Sequence, residues 1–235
     1  MAPTPEQLQP QDSPPPSGGS NREKIIDAFM ALLAERPIEE IGFADIAARS
    51  NLSLADCRDE FGSVVGILSA FMKSMDRKVL AGGDSDLAEE SPRERLFDVL
   101  MRRLEMLEPN KAAIRSLQRS VCRNPGLALA LNGLSVRSQK WMLTAAGIDA
   151  AGPKGSVRAQ GLALLFARVV ATFVKDDEPG LPRTMAALDR ELARGQRWSG
   201  FLDDLCRLAP RACRPSTRRS SYRRSSESGE GTVAV

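Results

Sequence analysis

Apolar residues recur every three or four positions along most of this chain. Ile26, Phe29, Met30 and Leu33 make the first such stripe, and Leu68, Phe71, Met72, Met75 and Val79 make another. Leu96, Val99, Leu100 and Leu104 follow, then Ile114, Leu117 and Val121, then a long segment from Pro125 and Gly126 past Leu134 and Trp141. Because 3.6 residues complete a helical turn, that spacing gives each segment one apolar face and predicts a series of α-helices. No alternating pattern of useful length appears, so the fold class is all-α. Polar residues mark the boundaries. Ser20 with Glu23, and Ser91 with Glu94 behind Pro92, have the form of capping boxes, in which hydroxyl and carboxylate each take up a backbone N–H that a first helical turn leaves unpaired. Pro37 ends the first helix, Gly82 and Gly83 end the one that passes Val79, and Gly152 to Gly155 reads as a loop.

The stretch from 42 to 61 breaks this rhythm. Phe43, Ile46 and Ala47 sit at helical spacing, Asn51 follows where the chain needs positive φ, and Ser53 with Asp56 opens a second short helix with another capping box. Leu52, Cys57 and Phe61 fall on its inward side, which makes Cys57 a small buried hydrophobe rather than a reactive thiol. Two short helices joined by a tight turn are the scaffold that presents a helix to the major groove of DNA. On that reading Leu54, Ala55, Asp56, Arg58 and Asp59 line the presented helix and Ser53 donates from the turn. Arg22 and Lys24 meet a phosphate at the start of the first helix. Charge runs the other way: residues 20 to 81 hold eight Lys and Arg against ten Asp and Glu, a net charge of −2.

These residues resemble the TetR family of bacterial transcriptional regulators. The resemblance rests on Arg-Glu-Lys-Ile-Ile-Asp-Ala at 22 to 28, Leu-Leu-Ala-Glu-Arg at 32 to 36, Asp-Ile-Ala at 45 to 47, Ala-Arg-Ser-Asn-Leu-Ser at 48 to 53 and Phe-Gly-Ser at 61 to 63. It covers about sixty residues. Arg58, Glu60 and Val64 stand where the family commonly has a Tyr, a His and a Lys. The resemblance implies an N-terminal helix-turn-helix unit that binds double-stranded operator DNA and a helical domain that takes a small hydrophobic effector. Ligand binding would then change the separation of two recognition helices in a homodimer.

Residues 161 to 174 are apolar almost all the way round, too short a run to span a bilayer, and predict a helix buried on more than one face. Leu162, Phe166, Val169, Val170 and Phe173 make one stripe; Ala163, Ala167 and Ala171 make a flatter one. The flat stripe, with Met185, Leu188 and Leu192 on the next helix, suits a two-fold contact between subunits, where the family pairs its last two helices. Arg168 is the lone charge in that helix, to be met by a carboxylate or an anionic ligand, and Trp141 lies where family members keep their effector cavity. A second resemblance covers about thirty residues: Lys175-Asp176-Asp177-Glu178-Pro179, Thr184 and Leu188-Asp189-Arg190 are similar to the C-terminal part of lipid-binding accessory proteins of ubiquinone biosynthesis, which share the TetR fold without DNA binding. There Trp198, Phe201, Leu202, Leu205 and Leu208 would form an interfacial membrane helix.

Composition narrows the function classes. Histidine is absent, which removes the commonest general base and metal ligand, and no glycine-rich phosphate loop or nucleophile elbow is visible. The chain therefore reads as no enzyme and as needing no cofactor. Cys57, Cys122, Cys206 and Cys213 have no metal-ligand spacing. Residues 1 to 19, rich in Pro, Gly, Ser and Gln, read as a disordered leader rather than a signal peptide, hence a cytoplasmic protein. The expected order is the leader, a helix-turn-helix unit at 20 to 83, a ligand-binding and dimerisation domain at 84 to 210, and a basic tail at 211 to 235. Residues 206 to 235 carry seven Arg against two Glu, enough for non-specific contact with nucleic acid or anionic lipid.

Overall fold

The capping pairs start the helices they were expected to start. Ser20 Oγ accepts the Glu23 N–H and the Ser20 N–H donates to Glu23 at 3.1 Å, opening α1 (Asn21–Glu35). Pro37 ends it, and a short 3-10 turn (Ile38–Glu40) leads into α2 (Phe43–Ser50) and α3 (Leu54–Glu60). Ser63 caps α4 (Val64–Ala81), whose inward face includes Leu68, Phe71, Met75 and Val79, with Met72 half-buried. Ser91 and Glu94 open α5 (Pro92–Leu107) as a reciprocal box with proline in the first turn. Then come α6 (Lys111–Arg123), α7 (Pro125–Ala145), α8 (Gly152–Phe173) and α9 (Pro182–Leu208). This computed structural model describes residues 20–82 and 89–208, with side chains through Gly195, and no strand occurs among them. The leader at 1 to 19, Gly83, the tail at 211 to 235 and the side chains of Trp198, Phe201, Leu202, Leu205, Cys206 and Leu208 lie outside what is described.

The described residues to Ser199 form one compact unit, and the helical stretch from Gly200 to Leu208 falls outside it. Within that unit α1 lies along α6, α7 runs beside α8, and α4 touches α1, α5 and α7. The face that α6 turns inward is made of small residues, Ala113, Ser116 and Ser120, which lets α1 come close, while Ile114, Leu117 and Val121 are half-buried at its edges.

The expected loop at Gly152 to Gly155 is instead the first turn of α8. A proline in that turn sacrifices only an N–H that would have had no helical partner, so Gly-Pro here starts a helix rather than breaking one. Gly155 is required by space: a Cβ there would stand 2.1 Å from the Ala150 carbonyl carbon. The earlier start makes α8 22 residues long, and it is the helix among the described residues long and apolar enough to cross a membrane, against the shorter run read from the sequence. In this chain it is buried on one face only. Leu162, Ala163, Phe166, Val169 and Phe173 pack inward, while Val157, Leu164, Ala167 and Ala171 are exposed.

Candidate nucleic-acid interface

The corner between α2 and α3 is built from three residues. Asn51 takes φ 55°, in the left-handed region where its short polar side chain is tolerated. Ser53 Oγ accepts the Asp56 N–H at 3.1 Å and donates its own hydrogen to Asp56 Oδ2 at 2.7 Å, and the Ser53 N–H donates to the same oxygen at 3.0 Å. These donors hold the Asp56 carboxyl below the usual carboxylate range, the Ser53 hydroxyl most of all. Cys57 is fully buried and its thiol is pushed up by that burial, which fits a packing residue. What α3 turns outward is Leu54, Ala55, Arg58 and Asp59, with Leu54 57% exposed. Ser53 and Asp56, read as groove residues from the sequence, use the Ser53 hydroxyl and Asp56 Oδ2 in the helix cap.

Electrostatics divide the remaining charges. Arg22 reaches across to α3, where Nη1 lies 3.2 Å from Glu60 Oε2 and 3.4 Å from the Glu60 carbonyl, and its guanidinium covers the Phe61 ring at 4.5 Å. Arg49 grips Glu35 with two hydrogen bonds of 2.9 and 2.8 Å, and Arg36 meets Asp45 at 2.8 Å. The Arg49 hydrogen bonds lower Glu35, and Arg36 with the Gly42 N–H lowers Asp45. Lys24, Arg58 and Asp59 make no ion pair among the described residues. Lys24 and Arg58 are thus cations without an ion pair among the described residues, and Arg22 lies against α3.

Other expected site residues are placed differently. Arg168 is not buried: it stands on the outer face of α8 and pairs with Glu191 of α9 at 3.3 Å, because the side chain lies where α8 meets solvent. Trp141 is 59% exposed on α7. Of the residues expected between subunits, Ala167, Ala171 and Met185 face outward. Ala163, Leu188 and Leu192 turn instead into the chain's own core, since they fall on the α8 and α9 faces that pack inward.

The buried guanidinium is Arg103 of α5, which the sequence reading passed over. It lies 2.9 Å from Asp76 Oδ1 of α4, donates to Ser138 Oγ of α7, and faces the Phe166 ring of α8 at 5.3 Å. Ser138 passes its hydrogen to Asp76 at 2.7 Å. Burial pulls the Arg103 guanidinium below its ordinary value while Asp76 holds it up. Arg103 Nε, and Gln139 Oε1 of α7, are buried without a hydrogen-bond partner. A lone Arg at an inward helical position was the available signal, hidden in Met-Arg-Arg-Leu at 101 to 104.

Asp176 and Thr184, two residues of the second resemblance, have a structural role. Asp176 Oδ2 accepts both the N–H and the hydroxyl of Thr184 at 2.7 Å, which fixes the first turn of α9. Lys111 donates to the Asp176 carbonyl at 2.6 Å and Arg115 to that of Val174, tying α6 to the end of α8.

No family model matches the chain, and no curated protein matches its sequence. Solved structures do match its fold. A TetR transcriptional regulator from Nitrosomonas europaea superposes with a TM-score of 0.60 at 20% identity, over 76% of this chain and 99% of that one. One from Rhodococcus sp. RHA1 gives 0.52 at 21% identity over 74% and 95%, and one from Streptomyces coelicolor gives 0.51 at 12% over 81% and 87%. The chain thus has the fold of TetR regulators.

Proposed function

We propose that the protein is a transcriptional regulator that binds operator DNA as a homodimer and answers to a ligand in its helical body. The observation that carries this reading is the outward face of α3: Leu54, Ala55, Arg58 and Asp59 stand clear of the chain on a rigidly capped two-helix corner. An arginine and an exposed leucine on such a helix offer a guanine contact and a thymine-methyl contact. The second copy is supported by the outward Leu164, Ala167 and Ala171 of α8 with Met185 of α9, an apolar face left open on a helix whose other face is core. Ligand response is supported by Arg103 Nε and Gln139 Oε1, buried polar atoms without partners among α4, α5 and α7.

The rival reading, a lipid-binding accessory protein, loses part of its support, since Asp176 and Thr184 are explained by the cap of α9. The test is retardation of the protein's own promoter fragment. Wild type should shift it, Arg58→Ala should lose sequence preference, and Asp59→Asn with Glu60→Gln should tighten binding by removing repulsion. Absence of any shift, with lipid co-purifying, would overturn the regulator in favour of the rival. Ala167→Arg should leave the chain monomeric in sedimentation, and a wild-type monomer at micromolar concentration would end the dimer reading.

A further inference from the structure

We infer that the cleft between the α1–α2 corner and the α6–α7 corner is a binding site for a small organic anion that also carries a hydrogen-bond donor. The cleft measures about 570 Å³, within the range of small-molecule sites. One wall carries Arg119 and Arg123, one helical turn apart on α6, and the opposite wall carries Arg36, Glu39 and Glu40.

What marks this cleft is how its charges are left. Arg115, one turn earlier on α6, is occupied by the Val174 carbonyl and lies 3.8 Å from Asp177. Arg119 and Arg123 are exposed and reach no protein acceptor among the described residues, so ten guanidinium N–H groups are open to a ligand. The carboxylates nearby do not claim them. Glu35 is held by Arg49, Glu39 accepts the Ser120 hydroxyl at 2.7 Å, and Glu40 has no partner among the described residues. Arg36 is turned to Asp45, leaving its Nε without an acceptor. Opposite charges thus line the cleft without closing on each other. A carboxylate or phosphate on the Arg119 and Arg123 side would gain bidentate hydrogen bonds next to the N-terminal end of α7, whose partial positive charge adds to the attraction. A hydroxyl or amine at the other end would meet Glu40.

Such a ligand would join the segment that leads into the helix-turn-helix to the segment that leads into α7, and its effect on DNA rests on the regulator reading above. Binding itself does not. The full chain is titrated by calorimetry, without DNA, against inorganic phosphate and separately against malate. Saturable binding of one or both is expected. Arg119→Gln and Arg123→Gln should each weaken it by about tenfold or more, while Arg137→Ala, a cation removed from exposed α7 surface, should leave it unchanged. Preference for phosphate assigns a phosphate ester, and preference for malate assigns a hydroxycarboxylate. Glu40→Gln should weaken malate more than phosphate. No saturation by either probe, or equal loss in Arg137→Ala, overturns the site. Far-UV circular dichroism, expected to match wild type in every variant, separates lost binding from lost fold. A cleft that fails leaves promoter retardation untouched, and a failed retardation leaves the titration valid.

Discussion

Among the N-terminal helices, Arg22, Arg36 and Arg49 meet Glu60, Asp45 and Glu35 at the surface, whereas Asp76 of α4 meets Arg103 of α5 where almost none of either side chain is exposed. Water and salt already satisfy most of what the surface pairs would lose on separation, so those pairs can open when a phosphate offers itself. The buried pair has no such alternative. Each of its charges was stripped of water on folding and is compensated by the other and by Ser138, with the Phe166 ring beside the guanidinium. One region is thus arranged to exchange partners and the other to hold four helices in a fixed relation.

The sharpest way to break this contrast is to remove one member of the buried pair. Asp76→Ala leaves the Arg103 guanidinium with only a hydroxyl and an aromatic face, and should lower unfolding free energy by about 3 to 5 kcal/mol in a urea titration. The double variant Asp76→Leu with Arg103→Met should recover most of that loss, because two apolar side chains need no compensation. A single-variant loss under about 1 kcal/mol would mean that water reaches the pair, and the distinction between the regions would collapse.

A middle-sized effect belongs to the corner itself. Ser53→Ala removes the acceptor for the Asp56 N–H and should cost about 1 kcal/mol. The same cap sets a pH dependence. Asp56, Asp45, Glu35 and Glu94 all have carboxyl groups lowered in the folded chain by the hydrogen bonds they accept. A group lowered in the fold stabilises it fully above the unfolded value, near 4, and loses that contribution as pH falls through the folded value. With no histidine in the chain, the thermal midpoint should stay flat from about pH 6 to 8 and fall below about pH 4. Asp56→Asn should shrink the acid-side fall, and a midpoint that drops between pH 8 and 6 would contradict the assignment.

The corner and the body also differ in how far they can be read from sequence. Ser20, Ser53 and Ser91 reach their partners three residues away, so each helix start is contained in a short window and was legible. The Arg103 network joins positions 27 to 63 residues apart, and no local pattern says which of two neighbouring arginines turns inward. Arg168 meets the expected carboxylate, that of Glu191, but at the surface. Apolar neighbours on both sides suggested burial, but only the packing of α8 decided which of its faces is core. Gly152 and Pro153 were misjudged because the same dipeptide can end a helix or begin one, and the close approach of Gly155 to Ala150 is a three-dimensional fact.

The smallest expected change in stability carries the most functional information. Arg22 and Glu60 are about half and one-third exposed, so Glu60→Gln should move unfolding free energy by no more than about 1 kcal/mol. Arg22 would not drift away, since its contacts with the residue-60 carbonyl and the Phe61 ring do not depend on the carboxylate. What changes is charge: a guanidinium half-neutralised by Glu60 becomes available to a phosphate on the face that α3 presents. The slope of log affinity against log salt for promoter binding should therefore steepen by about 0.9 for one added phosphate contact. Arg22→Ala in the Glu60→Gln background should return the slope to its starting value. If Glu60→Gln alters neither slope nor affinity while retardation persists, Arg22 does not touch the duplex. The surface pairs at the corner would then serve the fold alone.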